Sequence, residues 1–257
     1  MERVGESSGG SSGHHGRGTN TAPYDRLATV FSSEGRLYQV EYAGNAVRRA
    51  GVTSIGVRGA DSVCVVCQRS GTAAKDKLLD TTSASCLFTI TERLGLLATG
   101  IAGDGRALAH EARNQAAEFR FKWGYEMPPN VLAQWIADRA QILTQHAFKR
   151  TSGVVAMIMG IDDEKKTPQL FMCDPAGYFF GYKAAGAGHR DREAVDFLEE
   201  KMKNNPSLSF RETIEMAVSA LQFALKDEDL KATEIEVGVI TKDNPTFTTH
   251  RVELMST

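Results

Sequence analysis

Several things are missing from this chain, and each absence narrows its function. No stretch reaches the roughly 18 consecutive apolar residues that a membrane span needs. The N-terminal segment MERVGESSGGSSGHHGRGTN lacks the apolar core of a secretory signal. Charge of one sign is scarce: the formal net charge is -2 and the pI about 6.3, so no basic excess points to nucleic acid or to an acidic membrane surface. Four cysteines, Cys64, Cys67, Cys86 and Cys173, are too few for a disulfide framework in 257 residues, and a reduced setting is the expectation. Nucleotide and metallopeptidase motifs are also missing. Gly100-Ile-Ala-Gly-Asp-Gly105 has no Lys-Ser/Thr after it. Ala185-Gly186-Ala187-Gly188 lacks both the third glycine and the later acidic residue of a dinucleotide loop. Both glycine clusters read as close strand-to-helix turns. His110 with Glu111, and Asp138 with His146, lack the i,i+4 geometry of a HExxH site, and they read as solvated polar positions. His14-His15 is a poor metal site because ligands must converge. No cofactor and no metal are expected.

A chain that is 42% hydrophobic over this length can bury a full core. Residues 1–22, rich in Gly and Ser, have little to bury and read as a flexible tail, with a single domain over 23–257. Helical spacing recurs after a turn in residues 36–50, through Leu37, Val40, Gly44 and Val47. It recurs from Leu108 to Trp123, from Leu132 to Ala147 after Pro128-Pro129, from Val195 to Met202, and from Phe210 to Leu225. Ser209 and Glu212 are placed as a capping box for the last of these. Strands are expected at Thr29–Phe31, Thr53–Arg58, Val63–Gln68, Leu87–Thr91, Leu94–Thr99, Val154–Ile161, Gln169–Cys173, Tyr178–Ala184, Ile235–Thr241 and Thr246–Val252. Asp174-Pro-Ala-Gly177 is a turn between two of them, and Asp162 to Lys166 a solvated hairpin loop. Cys64 and Cys67, three apart on a strand, must point to opposite faces, which rules out a CxxC site. Val63–Cys67 and Val154–Ile158 are apolar on both faces and so need cover on both. Strands, a helix pair, strands, a second helix pair and strands again fit an α+β fold of two stacked sheets between two helical layers. A doubly wound parallel sheet would want single helices alternating with strands.

The segment from Tyr24 to Ala43, YDRLATVFSSEGRLYQVEYA, carries Tyr-Asp-Arg, Phe-Ser, Glu-Gly-Arg and Gln-Val-Glu-Tyr-Ala in one order and spacing. It closely resembles the N-terminal signature of proteasome alpha subunits, with Ser33 where that family usually carries proline. Similarity continues through Lys77-Leu-Leu-Asp80, Thr99 to Arg106, Thr144-Gln145, Cys173 to Tyr178 and Ile235-Glu-Val-Gly238. Thr151, after Arg150, is another departure from a frequent proline. Lys122 to Pro128 and Phe179 to Lys183 are most similar to the alpha type-6 branch. The resemblance implies the alpha-beta-beta-alpha sandwich of N-terminal nucleophile hydrolases. It also implies a non-catalytic, structural and gating subunit in the outer alpha ring of the 20S core particle, serving ubiquitin-dependent protein degradation in cytoplasm and nucleus. The partners implied are other alpha subunits in a seven-membered ring, beta-ring subunits, and the regulatory particle or other activators, with neither nucleic acid nor membrane.

The competing reading is a catalytic threonine hydrolase of the same fold, as in the beta subunits. That chemistry needs a threonine whose freed amine is the base, with a lysine and an aspartate nearby. Thr53 stands where the nucleophile would lie, but Val52 precedes it and Gly51 is one residue too early for autoprocessing. Alignment puts Gln68 at the aspartate and Cys86 at the lysine. By the resemblance, Tyr24, Asp25, Arg26, Ser33 and Tyr42 form the cluster that holds the ring's pore open. Cys86 occupies the place of a lysine that pairs with an activator's terminal carboxylate, which makes that pocket a weak one unless Lys75 or Arg93 takes over.

Overall fold

The computed structural model describes residues 27–68, 78, 85–204, 207–226 and 234–253. Residues 1–22, read as a tail, lie outside the described residues. In chain order the elements are α1 (Tyr38–Arg49), β1 (Thr53–Arg58), β2 (Ser62–Gln68), β3 (Leu87–Thr91), β4 (Leu94–Gly100), α2 (Ala102–Trp123), α3 (Pro129–Thr144), β5 (Val154–Ile161), β6 (Pro168–Cys173), β7 (Phe179–Gly181), β8 (Ala184–Gly188), α4 (Asp191–Asn204), α5 (Phe210–Leu225), β9 (Glu234–Thr241) and β10 (Thr248–Glu253).

The strands form two five-stranded sheets, ordered β10-β9-β2-β1-β8 and β3-β4-β5-β6-β7, with antiparallel neighbours throughout. A doubly wound parallel sheet is thereby excluded. Three apolar clusters separate four layers. Ile55, Cys64, Val66 and Val237 pack with Leu198 and Leu221 of α4 and α5. Val65, Cys67, Met157 and Leu170 fill the space between the sheets. Leu96 and Ile158 meet Ala109, Ala112, Leu132 and Ile136 of α2 and α3. Every residue of β2 is buried, as an apolar strand between a helical layer and a second sheet must be. The same alternation sends Cys64 toward the helices and Cys67 toward the other sheet.

Local chemistry fixes several boundaries. The Glu212 carboxylate accepts from Ser209 N at 2.8 Å and Ser209 Oγ at 2.7 Å, closing the capping box of α5. Asp174 Oδ1 accepts from Ala176 N and Tyr178 N, and Gly177, at φ +92°, donates to Asp174 O. Asp162 Oδ1 accepts the amides of Glu164 and Lys165, so the hairpin loop is held by its first carboxylate.

Seven expectations need correction. Residues 29–31 are a turn and irregular chain rather than a strand, and α1 begins at Tyr38, two residues later than the turn-helix reading. Tyr178–Ala184 is not one strand: β7 closes one sheet and β8 opens onto the other. Residues 185–188 are therefore strand, pairing with β1 from Thr53↔Gly188 to Val57↔Ala184. Their small side chains hide the strand pattern but suit the site, since a Cβ on Gly186 would sit 3.1 Å from Val195 Cγ2 of α4. Residues 102–105 are the first turn of α2, with Gly105 against Ala98 of β4, and α3 stops at Thr144, short of Ala147. Finally, Cys67 and Cys86 are joined in a disulfide that ties β2 to the segment leading into β3 in the other sheet; Cys64 and Cys173 are free and buried.

Candidate functional site: the signature turn and the cavity behind α1

The signature folds as a turn that sets the angle of α1. Ser32 is buried and bonds on all sides: its N donates to Arg36 O at 3.0 Å, its carbonyl accepts Gly35 N at 2.9 Å, and its hydroxyl accepts from Arg36 N at 3.1 Å. Gly35 takes φ +75°, open to glycine at little cost. Across this turn Arg36 Nε donates to Glu41 Oε1 at 2.8 Å, and its guanidinium lies 5.0 Å from the Tyr38 ring centre. The hydrogen bond from Arg36 holds the Glu41 carboxyl below its ordinary pKa. Glu-Gly-Arg and Gln-Val-Glu-Tyr are therefore one clasp, and the arginine and glutamate in them are residues that sequence reasoning left without a role. Tyr42 is 43% exposed and stacks on Tyr38, with ring centres 6.3 Å apart. Ser33 sits exposed at the turn's tip. Tyr24, Asp25 and Arg26, the rest of the expected cluster, lie outside the described residues.

Behind α1 a cavity of about 570 Å³ opens between the helix, the end of β2, the segment before β3 and the start of α2. Ala46, Arg49 and Ala50 form one wall and Ile101 and Ala102 another; Gln68, Ser85, Cys86 and Glu236 supply the polar lining. Glu236 is only 2% exposed. Its Oε2 accepts from Ser85 Oγ at 2.7 Å and Cys86 N at 3.3 Å, while Oε1 faces Arg251 Nε at 3.4 Å. Neither Glu236 nor Arg49 was singled out from the sequence. The available signal for Glu236 was a carboxylate inside the apolar run Ile235 to Ile240, at the position facing the second sheet. Arg93, a candidate substitute cation, bonds Asp163 at 2.8 Å and is not part of this lining; Lys75 lies outside the described residues.

Two residues of the catalytic alternative, Gln68 and Cys86, also line this cavity. Thr53 is fully buried, and its backbone N, linked to Val52, donates to Gln68 Oε1 at 3.4 Å. Its hydroxyl has no hydrogen-bond partner. The position aligned with a lysine holds the half-cystine Cys86. Elsewhere, Glu111 is taken by Arg139 at 2.6 Å, which removes it from any pairing with His110; His110, Asp138 and His146 are exposed. Among the described residues no three His, Cys, Asp or Glu side chains converge on a metal position, and no helix is long and apolar enough to cross a membrane.

Two stacked antiparallel sheets between helical pairs, with a threonine at the start of β1 and a helix leading into it, define the fold class of the N-terminal nucleophile hydrolases. A family model described as "Proteasome subunit" matches residues 48–240, and a second, for the N-terminal signature of A-type proteasome subunits, matches residues 24–46. The chain is 44% identical over 224 residues to a probable proteasome subunit alpha type-1 of Schizosaccharomyces pombe, covering 86% of this chain and 89% of that one. It is 37% identical to a proteasome subunit alpha type-6 of Caenorhabditis elegans, covering 89% and 91%. It is 38% identical to a proteasome subunit alpha of Saccharolobus solfataricus, covering 84% and 86%. The chain belongs to the proteasome subunit family and is of the alpha type.

Proposed function

We propose that this chain is a non-catalytic structural and gating subunit of the outer alpha ring of a 20S proteasome, working in cytoplasm and nucleus, with alpha type-6 as its ring position. The observation that carries the non-catalytic reading is Thr53: buried within β1, peptide-linked to Val52 and bonded to Gln68, with a half-cystine at the position aligned with the lysine. A threonine without a free α-amine has no built-in base, and neither of those side chains can take or hold the proton. Cleavage before Thr53 would also remove α1 and the signature. The mass of the mature chain tests this. The account expects continuity across Val52–Thr53; a new N-terminus at Thr53, or labelling there by a threonine-directed electrophile, would overturn it.

The ring partners are other alpha subunits and the beta ring, with the regulatory particle or other activators on the outer face. Tyr24, Asp25, Arg26, Ser33 and Tyr42 are this subunit's part of the open-state gate cluster. The cavity behind α1 is the activator pocket, and it is a weak one. Cys86 presents a sulfur where a carboxylate ligand needs a cation, and Glu236 lies beside that sulfur at 3.8 Å. A charge-assisted bond to a terminal carboxylate contributes about 1.5–3 kcal/mol in a partly dry site. Cys86→Lys, compared with Cys67→Ser so that both lack the disulfide, should therefore bind a C-terminal activator peptide more tightly in the assembled particle. Equal affinity for the two variants would contradict the missing-charge account.

A further inference from the structure

The Cys67–Cys86 bond is asymmetric in its access. Cys67 is fully buried between the sheets, whereas Cys86 is half-buried and lines the cavity behind α1. We propose that this disulfide is a thiol-exchange site: small thiols entering the cavity open it by attack at Cys86 and leave Cys86 as the modified residue.

The step balances without an added oxidant. An incoming thiolate forms a sulfur–sulfur bond to Cys86 Sγ, the Cys67–Cys86 bond breaks, and Cys67 departs as a thiolate that then takes a proton from solvent. One disulfide replaces another, and a second thiol equivalent at the adduct would leave both cysteines reduced and release the small disulfide. Attack at Cys67 is barred by burial. Departure from Cys67 is aided by Ser54, whose hydroxyl donates to Cys67 Sγ at 3.4 Å, partly offsetting the cost of a buried thiolate. The reduced state is provided for as well. Cys86 Sγ stands 3.8 Å from Glu236 Oε2, a contact that only a thiol S–H can use as donor. That carboxylate is already fixed by Ser85 and by the Cys86 amide, so the acceptor for a reduced Cys86 is in place.

The other cysteines make internal controls. Burial pushes the Cys64 thiol up to about 12, and the Cys173 thiol is also raised by burial while its Sγ–H donates to Ala133 O at 3.3 Å. Neither offers a thiolate to exchange. An adduct on Cys86 would occupy part of this cavity of about 570 Å³ and so compete with any other group for it. This holds whether or not an activator docks there.

Peptide mapping by mass spectrometry tests the proposal on the full chain in its native assembly. The protein is treated with one equivalent of reduced glutathione under native conditions, sampled at short times, quenched in acid and alkylated after unfolding. The expected result is glutathione on the peptide bearing Cys86, with the first alkylated thiol appearing at Cys67 in step with it. With oxidised glutathione, Cys67→Ser should carry the adduct on Cys86, whereas Cys86→Ser should carry none on Cys67. An adduct on Cys67, Cys64 or Cys173 would overturn the assignment. So would a disulfide that resists glutathione until the protein is unfolded, or a wild-type chain whose Cys67 and Cys86 both stay free thiols after oxidised glutathione.

Discussion

Asp104 shows how single residues tie the layers together. It stands in the first turn of α2, accepts two hydrogen bonds from Arg150, each 2.7 Å, and a third from Gly153 N at 2.9 Å. Those bonds, Arg150's first, hold its carboxyl below the usual 3.8. A depressed folded-state pKa means stabilisation that is present above the unfolded value and lost as pH falls through the folded one. Arg150 is 62% exposed, so the pair is worth only about 1 kcal/mol. Asp104→Asn should therefore unfold about 1 kcal/mol more easily at neutral pH, with the gap to wild type closing as the pH falls below 3.8, measured by denaturant titration. A gap that does not change with pH would mean the charge contributes nothing. This pairing was not legible in sequence, because 46 residues separate its members. Gly188 was legible only as a turn glycine. Its φ of +112°, with a built Cβ only 1.9 Å from Val52 O, reflects the close approach of β8 to the start of β1, which no local pattern announces.

At the scale of elements, the strands with β-branched, apolar alternation were readable, and β1, β3 and β5 begin and end where the pattern places them. β8 was not, since Ala-Ala-Gly-Ala-Gly has weak strand preference and owes its conformation to pairing with β1 and to the close cover of α4. A turn before α1 was readable, yet the Arg36–Glu41 clasp that joins it to α1 was not. Ser33 lies at the exposed tip of that turn and lacks proline's fixed φ. Ser33→Pro should stiffen the tip and raise, modestly, the rate of peptide entry into the activator-bound particle. An unchanged or slower rate would count against a gating role for this residue.

The whole molecule follows from one demand: strands buried on both faces need two covers, and two helical pairs with two sheets supply them. Pattern and composition sufficed for that, since the layers depend on which residues are apolar more than on who pairs with whom. The cavity behind α1 was only half visible. Cys86 and Gln68 could be placed by alignment, but Glu236 and Arg49 come to it from opposite ends of the chain, and the disulfide that forms part of its lining is a tertiary fact. The central claim is membership of a ring, and it is tested most directly by mass spectrometry of the chains that copurify with this one under native conditions. The account predicts a particle of proteasome mass containing the other alpha- and beta-type subunits, with this chain at one copy per alpha ring. A monomer without partners, or a ring built of this chain alone, would contradict it.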